Sequence, residues 1–375
     1  MKALFAGGGT GGHLFPAIAI AQALETIDSG CRIEFVGTKY GIEYRMRETL
    51  GYPLHLIAIR GLARTFSPSL LLFPLRLAIS VAQAYRICGK LEPDVVVGTG
   101  GYVAGPVIIA AAIKRIPRVL QEQNSFPGLV TRKLASRVAM IFTAYKKAGE
   151  YLPKGVACRL TGNPIRRSIT TGSRAEGLRK FGLRDDRKTI LVLGGSQGAH
   201  RINEAVLRGL EHLDDRVQIL WQCGKRDYKD VAARLEKKEF AISLFPFSND
   251  MDLVYAAADL AIARAGALTI AELMACGIPA VLIPYPYAAA DHQTFNAAEV
   301  ARDGAADIIP DTQLDVTNPV KRAVELVCSD RLSVMQGAAK TLGRPDAAFD
   351  IAREIMHLAQ QEGKDRGSKR QDDTA

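Results

Sequence analysis

No stretch of this chain approaches the run of about 18 apolar residues that a membrane-crossing helix requires. Its 48% hydrophobic residues are therefore available for globular cores. At about 100–200 residues per domain, 375 residues provide for two such cores. No basic leader with an apolar segment and a small-residue cleavage site precedes the first strand, so no signal peptide is expected and the chain is expected in the cytoplasm. Cysteine is sparse: Cys31, Cys88, Cys158, Cys223, Cys276 and Cys328 show neither C-x-x-C nor metal-type spacing, and most sit in apolar surroundings. That excludes a disulfide framework and structural zinc, and predicts buried free thiols. Tryptophan occurs once, and the basic region is rich in leucine rather than aromatics, so the stacking platform of a nucleic-acid module is missing. Acidic residues are absent between Glu48 and Glu92. Residues 1–163 hold 20 Lys and Arg against 9 Asp and Glu, while residues 164–375 hold 29 against 30, so all of the net +10 lies in the first half. Such asymmetry points to an anionic partner for that half.

Short, continuously apolar and β-branched runs recur between amphipathic stretches. They are Lys2–Ala6, Arg32–Val36, Leu54–Ile59, Val95–Val97, Arg118–Gln121, Met140–Thr143 and Arg159–Thr161. A second series follows: Thr189–Leu193, Gln218–Gln222, Ile242–Phe245, Leu260–Ala263, Ala280–Pro284 and Asp307–Ile309. Continuous rather than alternating hydrophobicity is the pattern of parallel strands covered by helices on both faces. Two doubly wound α/β domains are predicted, over residues 1–164 and 165–345. A helix over 346–362 is expected to return to the first domain, and the tail from 363 to 375, without an apolar pattern, is expected to be disordered. Each domain opens on a strand, a glycine loop and a helix: KALFAGGGTGGH, then TILVLGGSQGAH. Ligands of such sheets bind beyond the carboxyl ends of the strands, so two facing domains are expected to form a cleft.

Gly7 to Gly12 satisfy G-x-G-x-x-G, the fingerprint of a dinucleotide site. That site also needs an acid at the end of the second strand, about 20 residues on. Here the second strand finishes on Gly37-Thr38 and Glu34 lies mid-strand, so a nicotinamide or flavin cofactor is not expected. Backbone N–H groups at a helix N-terminus form an anion site, and His13 follows the glycines immediately. In the second half, Gly266-Ala267-Leu268-Thr269 leads a strand into a helix and offers N–H groups and a hydroxyl to phosphate oxygens. Glu272, one turn on, suits a ribose diol, and the amides of Gln293 and Asn296 suit sugar hydroxyls. Together these describe a nucleotide-sugar site.

The segments GGGTGGH, QEQNSFPG (121–128), TGNPIR (161–166), GGSQGA (194–199), GALTIAE (266–272) and DHQTFNA (291–297) stand in the order seen in the MurG family of glycosyltransferases, family 28, which the chain resembles over roughly residues 2–360. The resemblance implies a GT-B fold, two Rossmann-like parallel-sheet domains facing a cleft. It implies transfer of N-acetylglucosamine from UDP-GlcNAc to the C4 hydroxyl of MurNAc in lipid I, undecaprenyl-pyrophosphoryl-MurNAc-pentapeptide, giving lipid II. By similarity Thr10, Gly11 and Gly12 lie near the donor phosphates, Asn124 meets the GlcNAc, and Arg166 and Ser196 serve the nucleotide and diphosphate. Ala267, Leu268, Thr269 and Glu272 continue the set, Gln293 holds the sugar, and the backbone near Ser248 takes the uracil. The family often carries two glutamines where this chain has His292-Gln293. Implied partners are UDP-GlcNAc, lipid I, an anionic membrane surface and other proteins of cell-wall synthesis and division; the implied place is the cytoplasmic face of the bacterial inner membrane, peripherally bound. A GT-B transferase acting on diacylglycerol or a small aglycone would share the donor half.

His13 is the candidate general base, since an imidazole pKa near ~6.5 lets it accept a proton at neutral pH; Glu122 is the second candidate. Asp250-Met-Asp252 matches D-x-D, but the acids precede a helical run and are read as N-terminal caps, so no metal cofactor is expected. The helix N-termini at 195–197 and 267–269 would take the metal's place. The loop Gly100-Gly101-Tyr102, with Gly105, is a candidate seat for the acceptor's pyrophosphate. A lipid-linked acceptor cannot leave the bilayer cheaply, and residues 60–86 offer a surface that could meet it there: Arg64 and Arg76 stand among Leu71, Leu72, Phe73 and Leu75, the composition of a peripheral membrane patch.

Overall fold

The computed structural model describes residues 1–61, 72–194, 199–236 and 240–372. The chain divides into two compact units, Met1–Ile165 with the segment from Asp346 onward, and Arg166–Pro345. Unit 1 holds a seven-stranded parallel sheet: β1 (Lys2–Gly7), β2 (Arg32–Gly37), β3 (Leu54–Leu56), β4 (Val95–Gly100), β5 (Arg118–Glu122), β6 (Met140–Thr143) and β7 (Cys158–Leu160). Unit 2 holds a six-stranded one: β8 (Lys188–Leu193), β9 (Val217–Gln222), β10 (Ile242–Phe245), β11 (Leu260–Ala263), β12 (Ala280–Leu282) and β13 (Ala306–Ile308). The orders are β3-β2-β1-β4-β5-β6-β7 and β10-β9-β8-β11-β12-β13. In both, the winding reverses beside the first strand, between β1 and β4 and between β8 and β11, where open α/β sheets bind ligands.

All thirteen apolar runs are strands, with differences at their ends that have local causes. The third stops at Leu56 rather than Ile59 because its neighbour β2 ends at Gly37, which pairs with Leu56; the bond from Ile57 N–H to the Gly37 carbonyl, 3.0 Å, is the last available. The twelfth stops at Leu282 rather than running to Pro284, which has no N–H to give to a neighbouring strand.

The central strands of each sheet are buried on both faces, as continuous hydrophobicity requires, while the edge strand β7 is exposed. In unit 1, Phe5, Phe35, Val95 and Val97 pack on one face with Leu14, Ile20 and Leu24 of the Gly11–Ile27 helix, while Leu4, Val36, Val96 and Leu120 pack on the other with Val107 and Ile108 of the Gly101–Ile113 helix. Phe5 and Phe35 stack at 5.3 Å. The Ala347–Asp372 helix contributes Ala348, Ile351, Ala352 and Ile355 to the first of these faces. This helix runs to Asp372, where an unstructured tail from 363 was expected. Each residue added to the anchored helix gains one hydrogen bond, and Lys, Arg and Gln in this stretch are good helix formers, which carries the helix past Gly363 and Gly367. In unit 2, Ile190, Val192, Ile219 and Trp221 form the core with Ile202 and Val206 of the His200–Gly209 helix. The fully buried Trp221 donates its indole N–H to Asn203 Oδ1 at 3.1 Å.

Candidate functional site

At the switch point of unit 1, β1 delivers Gly7 to Gly12 and β4 delivers Gly100-Gly101-Tyr102. Gly9, Gly100 and Gly101 all have positive φ, 85°, 102° and 72°, which only glycine adopts without strain. Thr10 is exposed at the N-cap of the Gly11–Ile27 helix and makes no side-chain cap bond; Gly11 and Gly12 form its first turn.

The loop holds an anion that the chain supplies itself. Glu43, fully buried, accepts the N–H of Gly9 at 2.8 Å through Oε2, and the N–H and hydroxyl of Thr38 at 2.9 and 3.3 Å through Oε1. A Cβ on Gly8, Gly37 or Gly41 would lie within 2.5 Å of Glu43 side-chain atoms, so the three glycines are the room that this carboxylate occupies. In a dinucleotide site, N–H groups of this loop face a pyrophosphate. Here a charge from the residue stretch after β2 fills that role, which explains a G-x-G-x-x-G without an acid at the strand end.

His13 lies on the first turn, half-buried, with its ring against the β4 end. Nδ1 is 3.2 Å from the Thr99 carbonyl and 3.0 Å from Gln123 Oε1. The Thr99 hydroxyl donates to the His13 carbonyl at 2.7 Å, so one residue grips both the backbone and the ring of the histidine. Gln123 Nε2 donates to the carbonyls of Thr99 and Gln121, at 2.7 and 3.2 Å, and to Gln121 Oε1. Asn163 completes the network, donating from Nδ2 to the Gln123 carbonyl at 3.0 Å and accepting from Gln121 Nε2 at 3.1 Å. The QEQN and TGNP segments thus meet behind His13. The glycines at 100 and 101 have a second function besides any pyrophosphate seat: a Cβ there would stand 2.7 Å from His13 Nδ1 and 3.1 Å from its Cδ2. The Tyr102 ring covers Gly9, and its hydroxyl lies 3.4 Å from Thr38 Oγ1.

Glu122, the second candidate base, is engaged elsewhere. Its buried carboxylate accepts from the N–H and Nδ2 of Asn124 at 3.0 and 3.3 Å, from the Gly128 N–H at 2.9 Å and from the Thr131 hydroxyl at 2.6 Å. Four donors consume the lone pairs that a base would use, so Glu122 shapes the loop that carries Asn124.

In unit 2, Ala267, Leu268 and Thr269 are the first residues of the Ala267–Ala275 helix, half-buried behind an N-cap glycine, Gly266. First-turn N–H groups have no partner within the helix. Glu272 accepts from the Tyr255 hydroxyl at 2.7 Å. Burial pushes the Glu272 carboxyl up from its ordinary value, against the Tyr255 hydrogen bond and the positive charge of Arg166, which both pull it down. Arg166 thus reaches the electrostatic neighbourhood of Glu272, although 106 residues separate them in sequence. Ser248 is buried and accepts the Asp250 N–H through Oγ at 3.1 Å. Gln293 Oε1 accepts the Tyr285 N–H at 2.9 Å, which orients its amide. Asn296 is fully buried and cannot meet a sugar hydroxyl, because its position on the His292–Arg302 helix faces the interior. His292 Nδ1 stays on its own turn, 2.7 Å from the Ala289 carbonyl. Asp250 occupies the N-cap of Met251–Ala256, but its carboxylate makes no cap bond and pairs with Lys180 Nζ at 2.6 Å instead. Among the described residues no group of three or more acidic, His or Cys side chains could hold a metal.

Ser196 and the 195–197 helix start lie outside the described residues, as do Arg64 and Leu71. Of the membrane patch, Leu72 and Leu75 are 50% and 59% exposed. Phe73 is half-buried against the core cluster beneath the Phe73–Leu91 helix, which it begins, and Arg76 is partly exposed. Ile79 and Ile113 extend the apolar surface, and a cavity of about 650 Å³ opens beside Pro74, Leu77, Val81, Tyr85 and Ile113. No described helix is long and apolar enough to cross a membrane.

Sequence reasoning did not single out Glu43, Thr99, Gln123, Tyr255 or Arg264. Arg264 bonds Asp311 at 2.6 Å and the carbonyls of Ile283 and Pro284 at 3.2 and 3.3 Å, tying the end of β11 to the end of β12 just before the 266–269 turn. An arginine closing an apolar strand was the available signal.

Two wound α/β units, the first opening on a glycine loop with a seated histidine and the second carrying a helix start beside the half-buried carboxylate of Glu272, define a nucleotide-sugar glycosyltransferase of the GT-B class. Residues 3–143 match the glycosyltransferase family 28 N-terminal domain and residues 189–351 its C-terminal domain. The chain belongs to glycosyltransferase family 28. It is 41% identical over 364 residues to the UDP-N-acetylglucosamine–N-acetylmuramyl-(pentapeptide) pyrophosphoryl-undecaprenol N-acetylglucosamine transferase of Chlorobium limicola, covering 96% of this chain and 100% of the relative. It is 42% identical to the transferase of the same name in Salinibacter ruber, covering 95% of this chain and 96% of that one. The crystal structure of Acinetobacter baumannii MurG superposes with a TM-score of 0.77 at 30% identity, covering 95% of this chain and 99% of that one.

Proposed function

We propose that this chain transfers N-acetylglucosamine from UDP-GlcNAc to the C4 hydroxyl of the MurNAc of lipid I, giving lipid II and UDP. The observation that carries the reading is the seat of His13 at the switch point of unit 1, in a chain whose relatives named for this transfer match it nearly end to end. His13 Nε2 takes the proton of the C4 hydroxyl. The hydroxyl oxygen attacks the anomeric carbon of GlcNAc, the bond from that carbon to the β-phosphate oxygen breaks, and UDP leaves with the electron pair. A single displacement inverts the α-linked donor to a β-1,4 product. Main-chain N–H groups at 267–269 and the Arg166 guanidinium meet the charge that develops on the diphosphate, with Ser196 as a further contact and Thr10 to Gly12 beside it. Glu272 holds the ribose, the backbone at Ser248 the uracil, and Asn124 and Gln293 the sugar. The N–H groups that open the Gly101–Ile113 helix serve the acceptor's pyrophosphate.

The acceptor's polyprenyl chain stays in the bilayer, since each CH₂ drawn into water costs about 0.8 kcal/mol. The Phe73–Leu91 helix brings the enzyme to it, sinking Leu72, Leu75 and Ile79 into the headgroup boundary of an anionic cytoplasmic leaflet while Arg76, Arg86 and Lys114 face the phosphates. The test is incubation with radiolabelled UDP-GlcNAc and a lipid I analogue. Lipid-linked disaccharide is expected, and His13→Ala lowers kcat by about 10²- to 10⁴-fold with UDP affinity kept. Label appearing on diacylglycerol and not on lipid I, or full turnover by His13→Ala, overturns the reading.

A further inference from the structure

We propose that Gln123 is a positioning residue which, with the main-chain carbonyl of Thr99, holds the His13 imidazole in the tautomer that carries its hydrogen on Nδ1. Nε2 then presents the lone pair. The functional meaning of this rests on the reading of His13 as the base; the tautomer itself does not.

The assignment follows from which atoms can only accept. The Thr99 carbonyl, 3.2 Å from Nδ1, has no hydrogen to give. The Gln123 amide could in principle face the ring with either end, but its other end lies 2.7 Å from the Thr99 carbonyl and 3.2 Å from the Gln121 carbonyl, both acceptors only. Its Nε2 must point there, so Oε1 faces Nδ1 at 3.0 Å. Two oxygens therefore demand a hydrogen on Nδ1. Flipping the amide would strand two donations inside a site where Gln123 is 2% exposed and its own carbonyl is held by Asn163. Gly100 and Gly101 admit the ring here, since a Cβ on the first would stand 2.7 Å from Nδ1 and one on the second 3.1 Å from Cδ2.

An amide in this place differs from a carboxylate in a way that matters for a base. A carboxylate would fix the same tautomer and also stabilise the imidazolium, holding the ring protonated to higher pH; a neutral amide fixes the tautomer alone. The ionisable groups on the neighbouring elements are turned to their own loops: Glu43 to Gly9 and Thr38, Glu122 to Asn124, Gly128 and Thr131, and the Tyr102 hydroxyl to Thr38.

The experiment has a spectroscopic arm and a kinetic arm, on the full chain. Six histidines make the long-range ¹H–¹⁵N side-chain spectrum of the uniformly labelled protein tractable, and the signal missing in His13→Gln identifies His13. Above its titration, His13 is expected to show a protonated Nδ1 and a bare Nε2. A protonated Nε2, or shifts averaged between the two forms, overturns the proposal. In the kinetic arm, Gln123→Met is expected to lower kcat by about tenfold to a hundredfold with KM for UDP-GlcNAc within twofold. Gln123→Glu gives up the Nε2 donations but keeps an acceptor at Nδ1; it is expected to recover part of the rate and to move the acid limb of the kcat profile to higher pH. Unchanged kcat in a folded Gln123→Met overturns the positioning role, and so does a Gln123→Glu no better than Gln123→Met. If His13→Ala turns over normally while the spectrum shows the Nδ1–H form, the base reading fails and the tautomer assignment stands.

Discussion

Replacing Glu43 by glutamine tests whether unit 1 depends on the anion it carries within its own glycine loop. The side chain keeps its length, but one of its two oxygens becomes an NH₂ group. Glu43 takes the Gly9 N–H on one oxygen and the Thr38 N–H and hydroxyl on the other, all in a fully buried pocket. Whichever way the amide turns, a buried main-chain N–H meets another donor. A buried donor left unsatisfied costs about 1–3 kcal/mol, and the surviving bond weakens because its acceptor is no longer charged. Relief from burying a carboxylate offsets part of this, which leaves a loss of about 2–4 kcal/mol. For a unit of this size the melting temperature of unit 1 should fall by about 4–16 °C. Calorimetry with and without UDP separates the two transitions, since the nucleotide is expected to raise that of unit 2. Glu43→Ala leaves two N–H groups facing a small void, and formate should raise the melting temperature of that variant while leaving the wild type unmoved. A Glu43→Gln protein that melts with the wild type, or an equal formate effect on both, would refute the idea that this carboxylate organises the loop.

Three further outcomes are expected. Because burial raises the Glu272 carboxyl, UDP binding followed by titration calorimetry should weaken, as pH falls, from above the ordinary carboxylate range, and Glu272→Gln should show no such dependence. Stability runs the other way: the proton is held more tightly in the folded state, so this group's contribution to unit 2 is full below the ordinary carboxylate pKa and is lost as pH rises through the raised one. Leu72→Glu with Leu75→Glu, at two positions half or more exposed, should cut flotation with anionic liposomes by about a hundredfold while unit 1 melts unchanged. Ala290 and Asp291 both sit in the left-handed region, at φ 52° and 51°; Ala290→Gly should therefore hold or raise stability by up to about 1 kcal/mol in urea titration, and a loss of that size would show that the strain is not where the backbone places it.

The strands and the first glycine loop were legible because their signals are local: an apolar run of three to six residues, followed after the first strand by a cluster of glycines. The same locality explains what was missed. His13 meets Thr99 and Gln123 across 86 and 110 residues, and nothing in the neighbourhood of any one of them announces the others. Residue type also misled where burial decides. Glu122 and Asn296 carry groups suited to catalysis and to sugar binding, but the first is spent on four local donors and the second is enclosed. The missing acid at the end of β2 argues against a dinucleotide partner, but that a glutamate six residues past the strand fills the loop has no sequence signal, because the turn at Thr38–Gly41 that brings it back has no periodicity to follow.

Unit 2 is, in chain order, an insertion within unit 1. Ala348, Ile351, Ala352 and Ile355 belong to a core begun by Ala3 and Phe5. During synthesis the later unit is therefore complete before the earlier one, inverting the usual amino-terminal-first order. For most of translation the Gly11–Ile27 helix and its sheet lack their last cover. A stop codon near residue 346 would leave unit 2 whole and strip from unit 1 the side chains of Ala348, Ile351, Ala352 and Ile355, some three hundred residues downstream of the helix they cover.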